Sequence, residues 1–297
     1  MSQKKLLLIV NPCSGRAKMH TELLKVVEIL SAADYAVTVY PTKCKGDATD
    51  YMLKLSNNDY ELAVVCGGDG TLNEVITGIM QSKLNLPIGY IPSGTLNEWS
   101  SGLNISRNIE QAAKDVTNGK KIPLDIGQFG NKYFSYTASF GAFTSASYSA
   151  PQNIKNILGQ AAYFFEGIKS LGNIKPIHLK FTHNGAETEG DFLFGAISNS
   201  LSVGGIVKYQ KDSVALNDGE FEVMLIRKPD NILKLQPIID GILKREFNRE
   251  GIEFFKAKKI IVESCNPVSW TLDGEFAATE GKQVITNIHN AITFIVP

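Results

Sequence analysis

The chain has 297 residues, of which 43% are hydrophobic and 20% charged, a composition that excludes a disordered protein and leaves room for two domains. Lys and Arg together number 30, as do Asp and Glu, so the formal charge is zero and lacks the basic excess of a nucleic-acid-binding protein. The four cysteines form no CxxC pair, which excludes a zinc signature, and no window approaches the roughly 20 apolar residues of a membrane span. These features predict a globular cytoplasmic protein that touches membranes, if at all, peripherally at their inner face.

The first 120 or so residues alternate strands with helices. Such an alternation predicts a doubly wound, mostly parallel sheet. The predicted strands are 6–10, 36–40, 62–66 and 88–91, and the predicted helices are 18–30, 48–55 and 109–116.

The pentapeptide GTLNE occurs twice in this region, beginning at Gly70 and at Gly94. Each copy follows a short apolar strand, and Thr-x-x-Glu is the pattern of a capping box, in which Thr and Glu together cap the start of a helix. We therefore expect Thr71 with Glu74, and Thr95 with Glu98, to open two helices. Two strand-to-helix turns of one design also predict neighbouring parallel strands that end at one edge of the sheet, where open α/β sheets bind ligands.

From about residue 121 the chain changes to short strands separated by turns, including an Asn184-Gly185 pair suited to a tight hairpin. We predict a β-sandwich-like second domain at 122–297, joined near 118–122 to an α/β domain at 1–121. Its predicted strands are 133–140, 177–183, 191–198, 220–226, 260–263, 268–272 and 291–296, with helices at 154–171 and 232–247.

A glycine-rich turn, Gly67-Gly68-Asp69-Gly70, precedes the first predicted GTLNE helix. Glycines let a ligand approach the backbone closely, and the start of a helix attracts phosphate. A carboxylate there would repel phosphate unless a divalent cation lay between them, so Asp69 predicts Mg²⁺ with a nucleotide. The chain has neither the GxxxxGK[ST] of P-loop proteins nor a GxGxxG after its first strand, which argues against both of those sites.

Six motifs follow in one order along the chain: NPCSG, GGDGTLNEV, IPSGTLNEWS, LDIG, LNDGEF and LDGE. This order resembles the soluble diacylglycerol kinase-like lipid kinases, which share their catalytic domain with sphingosine and ceramide kinases. The resemblance covers nearly the whole chain. GGDGT alone is shared with NAD kinases and phosphofructokinases, so the first domain is expected to have their fold, while the later motifs favour the lipid kinases.

The resemblance implies ATP and Mg²⁺ as cofactors and assigns roles to individual residues. It makes Asp218 the side-chain ligand of a structural Mg²⁺, with the backbone carbonyls of Ala215 and Glu220 beside it. Either Asp273 or Glu275 would be the catalytic base, although Asp-Gly is also a routine hairpin turn. The residues expected to bind the nucleotide and its metal are Asn11, Pro12, Ser14, Gly15, Thr42, Gly67, Gly68, Asp69, Gly70, Thr71, Asn73, Glu74, Thr95, Glu98 and Asp125.

Three departures from the family pattern stand out. Glu98 replaces the usual Asp after Asn97, a Pro is missing from 211–214, and a run of three glycines is reduced to Gly204-Gly205.

Residues 160–165 could wall an acyl-chain cleft, although such a helix is more often core. A set of basic residues could meet anionic lipid headgroups, although a solvated surface is the commoner explanation: Lys244, Arg245, Arg249, Lys256, Lys258 and Lys259.

The expected function is transfer of the γ-phosphoryl group of ATP to a hydroxyl of diacylglycerol or a related lipid at a membrane surface. A homodimer is compatible with this expectation, and no nucleic-acid partner is expected. The alternatives are a small-molecule kinase of the NAD kinase type and a non-catalytic lipid-binding protein on a kinase scaffold.

Overall fold

A computed structural model describes residues 3–14, 18–95, 97–141, 175–200, 202–203, 207–209, 214–231 and 234–297. The chain forms two compact units, Met1–Asp125 with Asn290–Pro297, and Ile126–His289. The predicted helix at 154–171, with the acyl-cleft candidate at 160–165, lies outside the described residues, as do Gly15 and Gly204-Gly205.

The first unit alternates strands and helices as predicted. The strands that begin at Lys4, Leu62 and Ile88 are apolar and mostly buried, which suits a sheet covered on both faces, whereas the edge strand at Tyr35–Pro41 has no buried residue. The elements are β1 (Lys4–Val10), α1 (Lys18–Ala32), β2 (Tyr35–Pro41), α2 (Asp47–Met52), β3 (Leu62–Gly67), α3 (Asp69–Ser82), β4 (Ile88–Pro92), α4 (Glu98–Gly102) and α5 (Ile109–Asn118).

The sheet of this unit is parallel, which confirms the predicted pairing. Its order is β2-β1-β3-β4, with Leu6 opposite Leu62 and Ala63 opposite Ile88. The final strand of the chain, β15 (Glu275–Val296), adds to the same sheet, because Phe294 pairs in parallel with Ile88. The domain boundary predicted between residues 121 and 122 assigned the end of the chain to the second domain. In the structure, Asn290–Pro297 belong to the first unit.

The second unit is antiparallel and rich in strands, as expected. Two strands, β5 and β15, run from one unit into the other. The elements that follow α5 are β5 (Lys120–Phe129), β6 (Lys132–Phe134), β7 (Thr137–Gly141), β8 (Ile177–His183), β9 (Ala186–Ser198), β10 (Ser202–Val203), β11 (Val207–Lys208), β12 (Phe221–Arg227), α6 (Leu235–Lys244), β13 (Ile252–Ala257) and β14 (Lys259–Leu272).

The strands of the second unit do not separate into the two independent sheets of a simple sandwich. Both β7 and β8 pair with β9 and with β14, so these four strands form a closed circuit. The circuit surrounds an aromatic core that includes Phe140, Phe181, Phe192 and Trp270. The closure is possible because β9 and β14, with 13 and 14 residues, are long enough to pair with β8 at one end and with β7 at the other.

The strand predicted at 133–140 is broken into β6 and β7. The break occurs at Ser135 and Tyr136, whose backbone N–H groups donate to the Asp273 carboxylate. The helix predicted at 232–247 is present over the shorter range Leu235–Lys244. Among the described residues, no helix combines the length and the apolar character needed to cross a bilayer.

Candidate functional site

The residues expected to bind the nucleotide follow the ends of four parallel strands in the first unit. Asn11 follows β1, Thr42 lies just beyond β2, Gly68 follows β3, and Thr95 lies in the loop after β4, which begins with Ser93 and Gly94. Parallel strands direct their carboxyl ends to one edge of the sheet, and that edge is the usual ligand edge of open α/β sheets. The fold therefore gathers these loops along one edge.

The two glycine loops are in direct contact. A Cβ atom built on Gly94 would lie 2.6 Å from the Cα of Gly68, and one built on Gly68 would lie 3.4 Å from the Cα of Gly94. The Ser93 N–H also donates to the Gly67 carbonyl at 2.8 Å. Only a residue without a side chain fits at Gly94, so this glycine allows the two loops to meet backbone to backbone.

The capping-box prediction is wrong for the first GTLNE. Helix α3 begins at Asp69, ahead of the expected Thr cap, and its N-cap residue, Gly68, has no side chain. Thr71 lies inside the helix, and its Oγ1 accepts a hydrogen bond from Asn11 Nδ2 at 3.0 Å. Glu74 Oε1 accepts from the Gly46 N–H at 2.8 Å, at the start of α2. Both side chains therefore tie α3 to other loops.

The second GTLNE adopts a different structure from the first, and the capping-box prediction is wrong here too. Helix α4 begins only at Glu98, after the N-cap residue Asn97, which has a φ of 50°. Asn97 Oδ1 accepts from the Gly94 N–H at 3.0 Å, and its Nδ2 donates to the Gly94 carbonyl at 2.7 Å. Gly94, Thr95 and Asn97 thus precede the helix, and the Asn97 side chain binds both backbone groups of Gly94.

The loop after β1 is joined to both glycine loops. Asn11 contacts Thr71 as described, and its Oδ1 accepts from the Cys13 N–H at 2.9 Å across Pro12. The hydroxyl of Ser14 lies 2.5 Å from that of Ser93. Ser93 was not among the expected site residues, although its position directly between β4 and a glycine marked it as a loop residue at the ligand edge.

The remaining expected nucleotide residues differ in accessibility. Thr42 is bound to the end of β1 through its N–H, which donates to the Val10 carbonyl at 2.8 Å. Asn73 lies within α3, and Thr95 is exposed. Asp125 is fully buried, and its Oδ1 accepts from the Asn290 N–H at 2.7 Å. This burial favours a role in joining β5 to β15, and a contact of Asp125 with the nucleotide stays a prediction.

Asp69 lies between the start of α3 and the start of α4. Its Oδ2 accepts from the Glu98 N–H at 3.1 Å, while its Oδ1 is buried and has no hydrogen-bond partner among the described residues. Burial raises the pKa of Asp69, although backbone N–H groups at 97–99 and the nearby charge of Arg107 act in the opposite direction. A buried carboxylate oxygen with no donor is suited to bind a cation.

These features fit a divalent cation that arrives with a nucleotide. In the part of the chain that the structure describes, no group of three or more His, Cys, Asp or Glu side chains is arranged to hold a metal ion. Mg²⁺ in phosphate sites commonly uses only one or two carboxylates together with phosphate oxygens and waters. The Asp69 carboxylate, beside the partly positive start of α3, meets that requirement.

The turn between β14 and β15 carries the two candidate bases. Asp273 and Gly274 have φ values of 48° and 85° and form a two-residue hairpin turn. Both Asp273 carboxylate oxygens accept backbone N–H groups, Oδ2 from Ser135 at 2.5 Å and Oδ1 from Tyr136 and Thr137 at 3.0 and 2.9 Å. The Glu275 side chain is exposed. Asp273 therefore holds the turn against the 135–137 segment, and Glu275 is the more accessible of the two carboxylates.

The expected structural-metal loop lies in the second unit, ahead of β12. Asp218 Oδ1 accepts the Glu220 N–H at 3.1 Å, and its Oδ2 lies 3.0 Å from the ammonium of Lys256. A side-chain cation of this chain therefore contacts the oxygen that the resemblance assigns to a metal, so the loop does not fit a second, structural Mg²⁺. Lys256 is also not free to meet lipid headgroups, whereas Lys244, Arg245, Lys258 and Lys259 are exposed.

We predict that Gly70→Ala weakens the binding of ATP with Mg²⁺ at least tenfold, or about 1.4 kcal/mol. A Cβ at Gly70 meets no protein atom within 4 Å, and Ala is favoured over Gly in a helix, so the fold should be kept or stabilised. The added methyl would instead occupy the space that the phosphates need at the start of α3. Calorimetric titration and thermal unfolding measure the two effects.

The matched control for this prediction is Gly102→Ala. Gly102 ends the short helix α4 and also has no atom within 4 Å of its built Cβ. The control should keep wild-type ATP affinity. Equal affinities in all three proteins would remove the start of α3 from the phosphate site.

Comparisons with known proteins found a family model, relatives and solved structures that are similar to this chain. Residues 5–129 match the family model of the diacylglycerol kinase catalytic domain. The chain is 32% identical to a diacylglycerol kinase of Bacillus subtilis (strain 168) over 99% of this chain and 97% of that protein. It is 31% identical to a diacylglycerol kinase of Staphylococcus aureus (strain bovine RF122 / ET3-1) over 92% of this chain and 87% of the relative. A crystal structure of a diacylglycerol kinase from Bacillus anthracis str. Sterne superposes with a TM-score of 0.78 at 26% identity, covering 100% of this chain and 98% of that one.

Proposed function

The chain belongs to the diacylglycerol kinase family, and from this membership we propose that it transfers the γ-phosphoryl group of ATP to a hydroxyl of diacylglycerol or a related lipid. The observation that carries the proposal is the position of Asp69. Its carboxylate lies at the start of α3, accepts the N–H at the start of α4, and presents a buried oxygen without a donor among the described residues.

In the proposed reaction the phosphates of ATP lie against the start of α3, where backbone N–H groups and the helix dipole favour negative charge. Gly70 leaves room for them, and Asn11, Ser14 and Ser93 hold the adjoining loop in place. When bound, Mg²⁺ would neutralise charge on the β- and γ-phosphates. Asp69 is the residue that would hold this metal, and Glu98, at the start of α4, would complete its surroundings.

On the acceptor side we assign the general base to Glu275. The lipid hydroxyl oxygen forms a bond to the γ-phosphorus, the bond from that phosphorus to ADP breaks, and the hydroxyl proton passes to the Glu275 carboxylate. Asp273 is assigned the positioning role, because the hydrogen bonds from three backbone N–H groups fix the turn and stabilise the ionised form of this carboxylate.

The proposal is tested by offering several acceptors to the purified protein with γ-labelled ATP and Mg²⁺. The panel holds dispersed diacylglycerol, ceramide, a sphingoid base and NAD. We expect label in the organic phase, with diacylglycerol as the best acceptor. Label in a phosphorylated form of NAD would support the small-molecule kinase instead, and no transfer to any acceptor would support a non-catalytic lipid-binding protein.

A further inference from the structure

The ammonium of Lys256 lies between two carboxylates of the second unit. Its Nζ is 3.0 Å from Asp218 Oδ2 and 3.1 Å from Glu222 Oε1. Lys256 on β13 is the direct partner of Glu222 on β12, so the strand register itself sets the two side chains against each other. Asp218 reaches the same ammonium from the loop that precedes β12.

Glu222 creates the need for a cation at this position. Its side chain is fully buried, and neither carboxylate oxygen accepts a well-aligned hydrogen bond among the described residues. A buried carboxylate is costly without a compensating charge. In this structure the compensation comes from the ammonium at 3.1 Å.

The Lys256 ammonium also holds the loop at residues 215–220 in place. Gly219 has a φ of 81°, and Asp218 Oδ1 accepts the Glu220 N–H, so the loop turns tightly around the Asp218 side chain. The other oxygen, Oδ2, is the one that contacts Lys256. Both oxygens of the expected metal ligand are therefore engaged by groups of this chain.

We propose that the Lys256 ammonium takes the place of a structural divalent cation in the 215–220 loop, so that this part of the fold is independent of Mg²⁺. One positive charge contacts both the loop carboxylate of Asp218 and the buried strand carboxylate of Glu222. The proposal concerns only the second unit, and it is independent of the metal that accompanies ATP and of the lipid kinase activity.

Thermal unfolding without nucleotide tests the proposal, with excess EDTA in one sample and millimolar MgCl₂ in another. The melting temperature of the wild-type protein should be the same in both. Lys256→Met should melt lower by on the order of 10 °C in EDTA, because it leaves a buried carboxylate without its counter-charge. MgCl₂ should restore part of that loss, since the Asp218 and Glu222 carboxylates then become available to the metal.

Lys258→Met is the matched control, because Lys258 lies two residues further along the chain and is exposed. It should melt like the wild type in both samples. A wild-type protein that loses stability in EDTA and regains it with MgCl₂ would overturn the proposal, and this arm remains decisive even if Lys256→Met fails to fold. Equal melting temperatures for Lys256→Met and Lys258→Met would overturn it as well.

Discussion

Glu275→Gln is expected to lower kcat for lipid phosphorylation by about 100- to 10,000-fold, the usual range for losing a general base. The amide keeps the size and polarity of the side chain but accepts no proton. The side chain is exposed in the hairpin, so the melting temperature and the affinity for ATP should stay at their wild-type values. Single-turnover kinetics with γ-labelled ATP and dispersed diacylglycerol measure the effect on the chemical step.

Asp273→Asn is the comparison that separates the two carboxylates of the turn. An Asn side chain would direct an NH₂ group at backbone N–H donors of residues 135–137, so we expect a loss of about 1.5–3 kcal/mol in unfolding free energy. Its activity should fall together with stability. If instead Glu275→Gln remained fully active while Asp273→Asn was inactive at an unchanged melting temperature, Asp273 would be the base.

Asp69→Asn should reduce turnover by roughly 100- to 1,000-fold, the range seen when one group that stabilises transition-state charge is removed. The amide oxygen can still accept the Glu98 N–H, so the start of α4 should remain capped and the fold intact. What is lost is the negative charge beside the phosphates, and with it the ability to hold Mg²⁺. Initial rates across a range of Mg²⁺ concentrations should show a much higher Mg²⁺ requirement.

A control for Asp69→Asn is Asp59→Asn, since Asp59 also accepts a backbone N–H, that of Ser56 at 2.7 Å, but in an exposed turn. It should behave as the wild type.

The pH dependence of ATP binding gives a second check on the role of Asp69. Burial raises the pKa of Asp69, so without metal this carboxylate takes up a proton at a higher pH than an exposed Asp does. Metal-dependent ATP binding should therefore weaken as the pH falls through that range. If the Asp69→Asn variant kept wild-type kinetics, Asp69 would have no role in holding the metal.

The sequence was sufficient to predict the parallel sheet and the placement of the glycine loops at its ligand edge, because both depend on local patterns. The alternation of strands and helices sets the sheet, Gly68 follows β3 directly, and Gly94 follows β4 after one residue. The capping boxes were predicted wrongly because the true partners are distant in sequence. Thr71 binds Asn11, 60 residues away, and Glu74 binds Gly46, 28 residues away.

The second unit was harder to predict for the same reason. The break between β6 and β7 depends on Asp273, which lies 138 residues after Ser135. Lys256 looked like one of several surface lysines, and only the register of β12 with β13 shows that it faces the buried Glu222. The long strand β15 was predicted only at its end, because Gly281 and Asn290, both with positive φ, interrupt its apolar pattern.

The most direct measurement is the transfer of label from γ-labelled ATP to dispersed diacylglycerol by the wild type, Gly70→Ala and Gly102→Ala, assayed side by side with Mg²⁺ at limiting ATP. The two glycines share open surroundings, and only Gly70 lies at the start of α3. We predict labelled lipid at equal rates from the wild type and Gly102→Ala, and at least a tenfold lower rate from Gly70→Ala. No labelled lipid from the wild type, or equal rates from all three proteins, would contradict a lipid kinase whose phosphate site is built at that helix.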